Sequence, residues 1–227
     1  MNETSKLRFI LKPSELIFFQ GKGIDIGCGP DPITPEVQKF DINDGDANKI
    51  TEYVKDSFDY VFSSHCLEHM IQPMDALKEW WKLVKQDGYL IFTVPDEDLY
   101  EQGVFPSRFN KDHKATFTIS KRKSWSSVSY NVLDMVNQLD NVELIKIELQ
   151  DLNYDRSELY WGKPSKNIIL KFLFFLYRPI HRFRFMKQTG IDRFFRKFRF
   201  VVLDQYSYEN RVGQIFCVCK KSKKEYV

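Results

Sequence analysis

Gly23-Ile24-Asp25-Ile26-Gly27-Cys28-Gly29-Pro30 is the stretch that decides the fold. Gly23 to Gly27 has the apolar pattern of a short buried strand, and it stops on glycines. Two glycines two apart let the backbone turn sharply and let a ligand approach the main chain closely. Fourteen positions after Gly27 stands Asp41, at the end of a second strand read over Val37 to Ile42. A carboxylate there can accept both hydroxyls of a ribose diol.

Two ligand classes use such an opening, nicotinamide dinucleotides and S-adenosylmethionine. A dinucleotide needs a helix N-terminus aimed at its pyrophosphate and about 20 residues before the acid. Here Pro30, Pro32 and Pro35 crowd the place where that helix would start. S-adenosylmethionine has no phosphate and carries a cationic sulfonium and ammonium, which favour carboxylates such as Asp25. The truncated helix therefore favours the methyl donor.

Outward from this turn, Ser57 to Ser63 reads as a third strand. Leu77, Trp80, Trp81 and Val84 repeat at helical spacing, which predicts an amphipathic helix over Met74 to Lys85 with the two tryptophans packed inward. Gly88 is expected to close it in a left-handed conformation. Tyr89 to Val94 is a strand ended by Pro95. Val128, Val132, Met135, Val136 and Leu139 mark another helix, ended near Asn141. Val142 to Leu149 and Gln214 to Lys220 are the last strands. Strands alternating with helices predict an α/β domain with a mostly parallel sheet.

Taken in order, these pieces resemble the class I S-adenosylmethionine-dependent methyltransferases. Asp25-Ile26-Gly27-Cys28-Gly29 is similar to their first motif, with Asp31 where the third glycine stands. Asp41 matches their ribose-binding acid, and Gly45-Asp46-Ala47 resembles the loop that contacts adenine. The run Ser57 to His69 resembles the fourth-strand motif of the small-molecule branch, and Asp87-Gly88-Tyr89-Leu90-Ile91 the turn into the fifth strand. The match is close over Gly21 to Val94 and looser beyond. It implies a Rossmann-like, mostly parallel seven-stranded sheet with helices on both faces and S-adenosyl-L-methionine as cofactor. It further implies that Asp25, Gly27, Cys28 and Gly29 hold the amino-acid end and that Asp41 holds the ribose. Asp46 and Ala47 would then meet the adenine, and Ser64 and His65 would line the pocket. The segment Val94 to Gly103, followed by Phe109 to Lys114, resembles a bacterial subgroup associated with surface-polysaccharide and sugar modification. That resemblance implies a saccharide acceptor.

His113 lies after the fifth strand on the ligand side, flanked by Lys111, Asp112 and Lys114. Methyl transfer to a hydroxyl is an in-line displacement, so most catalysis is positioning. A base still helps, because a sugar hydroxyl is a poor nucleophile until its proton is leaving, and histidine suits that task. His113 is the expected base, against the plainer reading of a surface-loop histidine. Asp96 and Asp98 are rival bases or substrate-binding residues, with Tyr100 and Asn110 beside them. His69 reads as a helix or core residue. Nothing in the sequence requires a metal.

The chain has 227 residues, enough for one sizeable domain, read as 1–227 with an insertion at about 155–212. Four scattered cysteines without a CxxC pair argue against zinc and disulfide frameworks and suggest reduced, intracellular thiols. No apolar run reaches the roughly 20 residues of a membrane span, and no signal peptide is visible, so a cytoplasmic protein is expected. The net charge of +3 hides an asymmetry. Residues 156–211 carry 13 Lys and Arg, 4 Asp and Glu, and nine of the 20 Phe, whereas the rest of the chain is acidic. Within that segment Lys166 to Arg178 is nearly apolar with basic ends, and Pro179 is expected to break it. His181 to Lys187 and Arg193 to Phe200 alternate basic and aromatic residues, and a helix there would put Phe194, Phe195 and Phe198 on one face.

Three roles compete for this segment: stacking on single-stranded nucleic acid, lying on an anionic membrane surface at the inner face, or packing on its own domain or a second subunit. The acidic body disfavours nucleic acid. The whole reading is a methyltransferase acting on a hydroxyl of a small molecule or saccharide. The contrasting readings are a nicotinamide-dependent oxidoreductase and a non-catalytic scaffold of the same fold.

Overall fold

The computed structural model describes residues 3–119, 121–159, 161–181, 190–208 and 210–223. The stretch 182–189, part of the basic Phe-rich run, lies outside the described residues. The first strand, β1 (Gly23–Ile26), is buried along its whole length, as an apolar run with neighbours on both sides requires. It pairs in parallel with β2 (Gln38–Phe40) and with β3 (Phe58–Ser64). β3 pairs in parallel with β4 (Val84–Pro95). The last strand, β8 (Gln214–Lys221), runs antiparallel between β4 and β7 (Val142–Gln150). The order is β2-β1-β3-β4-β8-β7. The carboxyl ends of β1 to β4 thus share one edge, where open α/β sheets bind their ligands.

The sheet has six strands, not the seven that the resemblance implied. Between β2 and β3, Asp41 to Asp46 turns, and Ala47–Glu52 coils into 3-10 turns capped by Asp46. No apolar alternation is left there to add an edge strand. A separate two-stranded ribbon pairs β5 (Thr116–Thr118) with β6 (Ser129–Asn131).

Side chains alternate across the sheet into two cores. Ile215, Cys217 and Cys219 join Val61, Leu90, Phe92, Leu77 and Trp80 on one face. Phe216 and Val218 join Tyr60, Phe62 and Leu7 on the other. The first face is covered by α2 (Pro73–Lys82) and α3 (Val132–Val136), the second by α1 (Glu3–Ile10) and the turns of Pro13–Phe19. Trp80 and Trp81 are buried helix-packing residues, and their indole N–H groups donate to the carbonyls of Ala47 and Asp140. All four cysteines are buried and unbridged.

Several expected boundaries move, among them the helix expected to run to near Asn141, which ends at Val136, and the second strand, which shortens to Gln38–Phe40. α2 ends at Lys82 rather than Lys85, because Val84 already pairs with Phe58 in the sheet. Gly88 does not close a helix; the left-handed residue is Asp87, at φ 62°. Gly88 lies within β4, where a β-carbon would stand 2.8 Å from the Asp59 carbonyl oxygen. The helix expected from Val128 starts only at Val132, because Ser129 to Asn131 pairs with β5. The Asn131 side chain then accepts from the amides of Leu133 and Asp134 and caps the helix.

The basic Phe-rich insertion lies between β7 and β8, as expected. It holds α4 (Ile168–His181) and α5 (Gly190–Lys197), which meet over Tyr177, Phe195 and Val201. Pro179 sits inside α4 instead of breaking it. It removes the one amide that would donate to the Phe175 carbonyl, and the helix still runs past it to His181. Phe194 touches both Phe195 and Phe198 ring to ring, as neighbours on one face would, with Phe195 buried and Phe194 exposed.

Candidate active site

The chain leaves β1 at Gly27, which has φ 74° and approaches the turn after β3 so closely that a β-carbon would meet the Cys66 sulfur at 2.5 Å. Only glycine satisfies both constraints. The Gly29 amide donates to Asp41 Oδ2 at 2.6 Å, so the acid at the end of β2 and the glycine turn hold each other in place. Asp41 is braced in turn by Asp44, which accepts its amide at 2.8 Å. Asp46 accepts from the Asn48 side chain and amide, which hold its carboxyl below the usual range.

Beside these groups opens a cleft of about 840 Å³. Gly27, Gly29, Asp41, Asp46, Ala47 and His65 line it, six of the residues expected there. Its size suits a nucleoside-bearing cofactor, and three positive-φ glycines, Gly27, Gly29 and Gly45, present bare backbone to it. Asp25, Cys28 and Ser64 do not line it. Asp25 is fully buried behind the turn and accepts the Ile33 amide at 2.7 Å, and burial pushes its carboxyl up to about 7. Cys28 is buried, with its thiol raised by burial. The Ser64 hydroxyl accepts from Thr93 at 3.1 Å inside the sheet. Asp31, at the third-glycine position, accepts from the Ser5 amide and hydroxyl and from Arg8, tying α1 to the turn.

A second cavity of about 420 Å³ adjoins the first, and His65 and His69 border both. Its walls come from distant parts of the chain. Glu3 belongs to α1, Glu68 to the turn after β3, and Tyr100, Asn110 and His113 to the segment after β4. Asp204, Tyr206 and Ser207 come from the end of the insertion. Of the expected substrate residues, Tyr100 and Asn110 are present. Asp96 and Asp98 are not. Asp96 is buried as the cap of the turn Glu97–Glu101, accepting from the amides of Asp98 and Leu99, and burial pushes its carboxyl up to about 6. Asp98 is taken by Lys121 and by the Trp125 indole at 2.9 Å.

His113 is 6% exposed, and its Nδ1 lies 2.8 Å from Glu101 Oε1. Its Nε2 lies 4.0 Å from Glu68 Oε1. Glu68 is fully buried. Burial alone would raise its carboxyl, but hydrogen bonding and charge from His65, with His113 and His69 nearby, bring it below the usual range. His65 shows the reciprocal effect. Burial opposes its charge, yet Glu68, Glu3 and Gln214 push it up to about 9. Its two ring nitrogens face Glu68 at 3.4 Å and Gln214 Oε1 at 2.8 Å, as an imidazolium with two acceptors would.

Sequence reading overlooked Glu3, Glu68, Glu101, Asp204 and Tyr206, and it placed His69 in the core. His69 instead stands between the cavities, with Nδ1 3.0 Å from Asp112 Oδ2. The available signal was three of the chain's four histidines beside carboxylates after two successive strands. Glu68, His69 and His113 offer ligand atoms all within 4.8 Å of one another. Around a zinc-sized ion, bonds of about 2.0–2.2 Å place neighbouring ligands about 3.4 Å apart. The 4.0 Å between Glu68 and His113 would have to close for the trio to hold an ion.

Residues 32–92 match the family described as a methyltransferase domain. No curated protein matches the sequence. Among solved structures, a SAM-dependent methyltransferase from Archaeoglobus fulgidus is 14% identical, with 96% of this chain and 94% of that one covered and a TM-score of 0.45. Phosphoethanolamine N-methyltransferase 2 of Haemonchus contortus, in complex with S-adenosyl-L-methionine, is 15% identical, with 96% of this chain and 52% of that one covered and a TM-score of 0.46. The order of motifs, the mostly parallel sheet that carries them and the family match agree: residues 32–92 match a methyltransferase domain, set on the α/β sheet that the sequence predicted.

Proposed function

We propose that the enzyme methylates a hydroxyl of a polar small molecule, a saccharide or glycan precursor, bound in the second cavity, with His113 as the base. The observation that carries this reading is the buried His113–Glu101 contact of 2.8 Å on a cavity that meets the first cleft at His65 and His69. Glu101 accepts from Nδ1–H and so presents the Nε2 lone pair as the basic site. S-adenosylmethionine supplies an electrophilic methyl carbon on a sulfonium. As the acceptor oxygen takes that methyl group, His113 Nε2 would receive its proton. Asn110, Glu3 and Asp204 offer acceptors for neighbouring hydroxyls. Tyr100 and Tyr206, with ring centroids 4.7 Å apart, offer aromatic wall for the apolar face of a sugar ring. In the first cleft, Asp41 is the ribose partner and Asp46 the adenine partner in this reading.

The same carboxylates support a second reading, an amine acceptor whose ammonium Glu3, Glu68 and Asp204 would hold before deprotonation. S-adenosylhomocysteine release with panels of free sugars, sugar nucleotides and amines separates the two. His113→Ala is expected to lower kcat by roughly 10²- to 10⁴-fold on a hydroxyl acceptor while S-adenosylhomocysteine affinity stays within about twofold. Unchanged turnover would place the base elsewhere. Turnover of amines alone would establish the second reading.

A further inference from the structure

We infer that α4 docks the enzyme on an anionic membrane surface. At 100° per residue, Ile168, Ile169, Phe172, Leu173, Phe175, Leu176 and Ile180 spread over about 160° of the helix. All seven are exposed, from 44% for Leu173 to 80% for Ile168. The opposite side carries Phe174 and Tyr177, which pack on Phe195 and Phe200 in a small core of the insertion. Lys171 and Arg178, two turns apart, lie together along one margin of the exposed apolar arc, and both are exposed. An apolar face this wide on a solvent-facing helix marks an interaction surface.

Charge selects the occupant. Residues 161–200 contain eleven Lys and Arg and one acidic residue, Asp192, which is buried against Arg196. Lys163, Lys166, Lys171, Arg178, Arg193 and Lys197 are exposed. Apolar side chains that enter the acyl boundary, beside basic heads that stay among anionic headgroups, are the composition of a helix lying in the interface. α4 is about 21 Å long at 1.5 Å per residue, and no described helix is long and apolar enough to cross a membrane. The binding is therefore peripheral. The same insertion supplies Asp204, Tyr206 and Ser207 to the second cavity, so docking would bring that cavity's wall to the source of a lipid-linked acceptor. The docking itself does not depend on the acceptor's identity.

The experiment is cosedimentation of the full chain with vesicles of phosphatidylcholine alone or with about one-third phosphatidylglycerol. Binding is expected to the anionic vesicles at least tenfold more than to the neutral ones, and to weaken as salt is raised. Phe172→Glu with Phe175→Glu should abolish it, and Lys171→Glu with Arg178→Glu should weaken it severalfold. Both pairs are exposed, and unchanged S-adenosylhomocysteine affinity checks that each variant is folded. No binding of the parent chain to anionic vesicles at low salt overturns the proposal. So does a parent dimer in light scattering that the Phe172→Glu, Phe175→Glu variant turns into monomers without any vesicle binding, which would assign the face to a second copy.

Discussion

Asp25 and Asp41 end neighbouring strands and carry the same group, yet their surroundings give them different work. Asp41 Oδ2 is held by the Gly29 amide at the wall of the larger cleft. If it receives the ribose, Asp41→Ala should weaken S-adenosylhomocysteine binding by about 2 kcal/mol, roughly 30-fold by calorimetry; an unchanged affinity would remove Asp41 from the site. Asp25 is sealed behind the turn, and burial raises its carboxyl from 3.8 to about 7. Between those values the folded state keeps a proton that the unfolded chain has released. Its contribution is therefore full below about pH 4 and lost as pH rises through 7. Asp25→Asn keeps an acceptor for the Ile33 amide and cannot ionise. The melting temperature of Asp25→Asn relative to the parent should rise from pH 5 to pH 8 in scanning fluorimetry. A difference that does not change with pH would mean the Asp25 charge is compensated.

At the scale of elements, periodicity made most strands and α2 legible, but not where they end. The end of α2 shows why. Helical spacing extends to Val84, but Val84 gains more by pairing with Phe58 in β4, a partner 26 residues away that local pattern cannot weigh. Gly88 likewise reads as a helix cap and serves as a point of close approach to Asp59. Gly88→Ala should cost about 1–3 kcal/mol through overpacking, whereas Asp87→Gly should raise stability by up to about 1 kcal/mol by relieving a left-handed residue. Denaturant midpoints of the two variants check this; the opposite ordering would return Gly88 to the capping role. Pro179 differs from its reading for another reason: a proline removes one bond to the preceding turn, which kinks a helix as readily as it ends one, and here the helix continues to His181.

Across the whole molecule, stability should be uneven. β1, β3, β4 and β8 are central and buried on both faces, whereas α4 meets the rest of the protein along one narrow side. Hydrogen exchange in the absence of lipid should reach completion in α4 long before it does in β1 and β8; equal protection would show that α4 is covered. The assembly of the second cavity is also a whole-molecule property. α1 is tied to the glycine turn through Asp31, and Lys6 of α1 donates to the Tyr206 carbonyl, so Glu3 and the end of the insertion close over Glu68 and His113.

The sequence by itself determined the strand–turn–strand opening, the place of Asp41 at the end of the second strand, the truncated first helix and the place of the basic insertion. Each of these rests on spacing over a few residues and on backbone needs that only glycine or proline meets. Tertiary structure alone decided that Asp25 braces the turn and does not line the cleft, and that His113 finds Glu101 while Asp96 and Asp98 are spent on a cap and on Lys121. It also decided that Glu3, Glu68 and Asp204 share a cavity. The Asp25 and Asp96 outcomes depend on burial, and those of His113, Asp98 and the cavity walls on partners 12 to 200 positions away, a range over which no local pattern carries information.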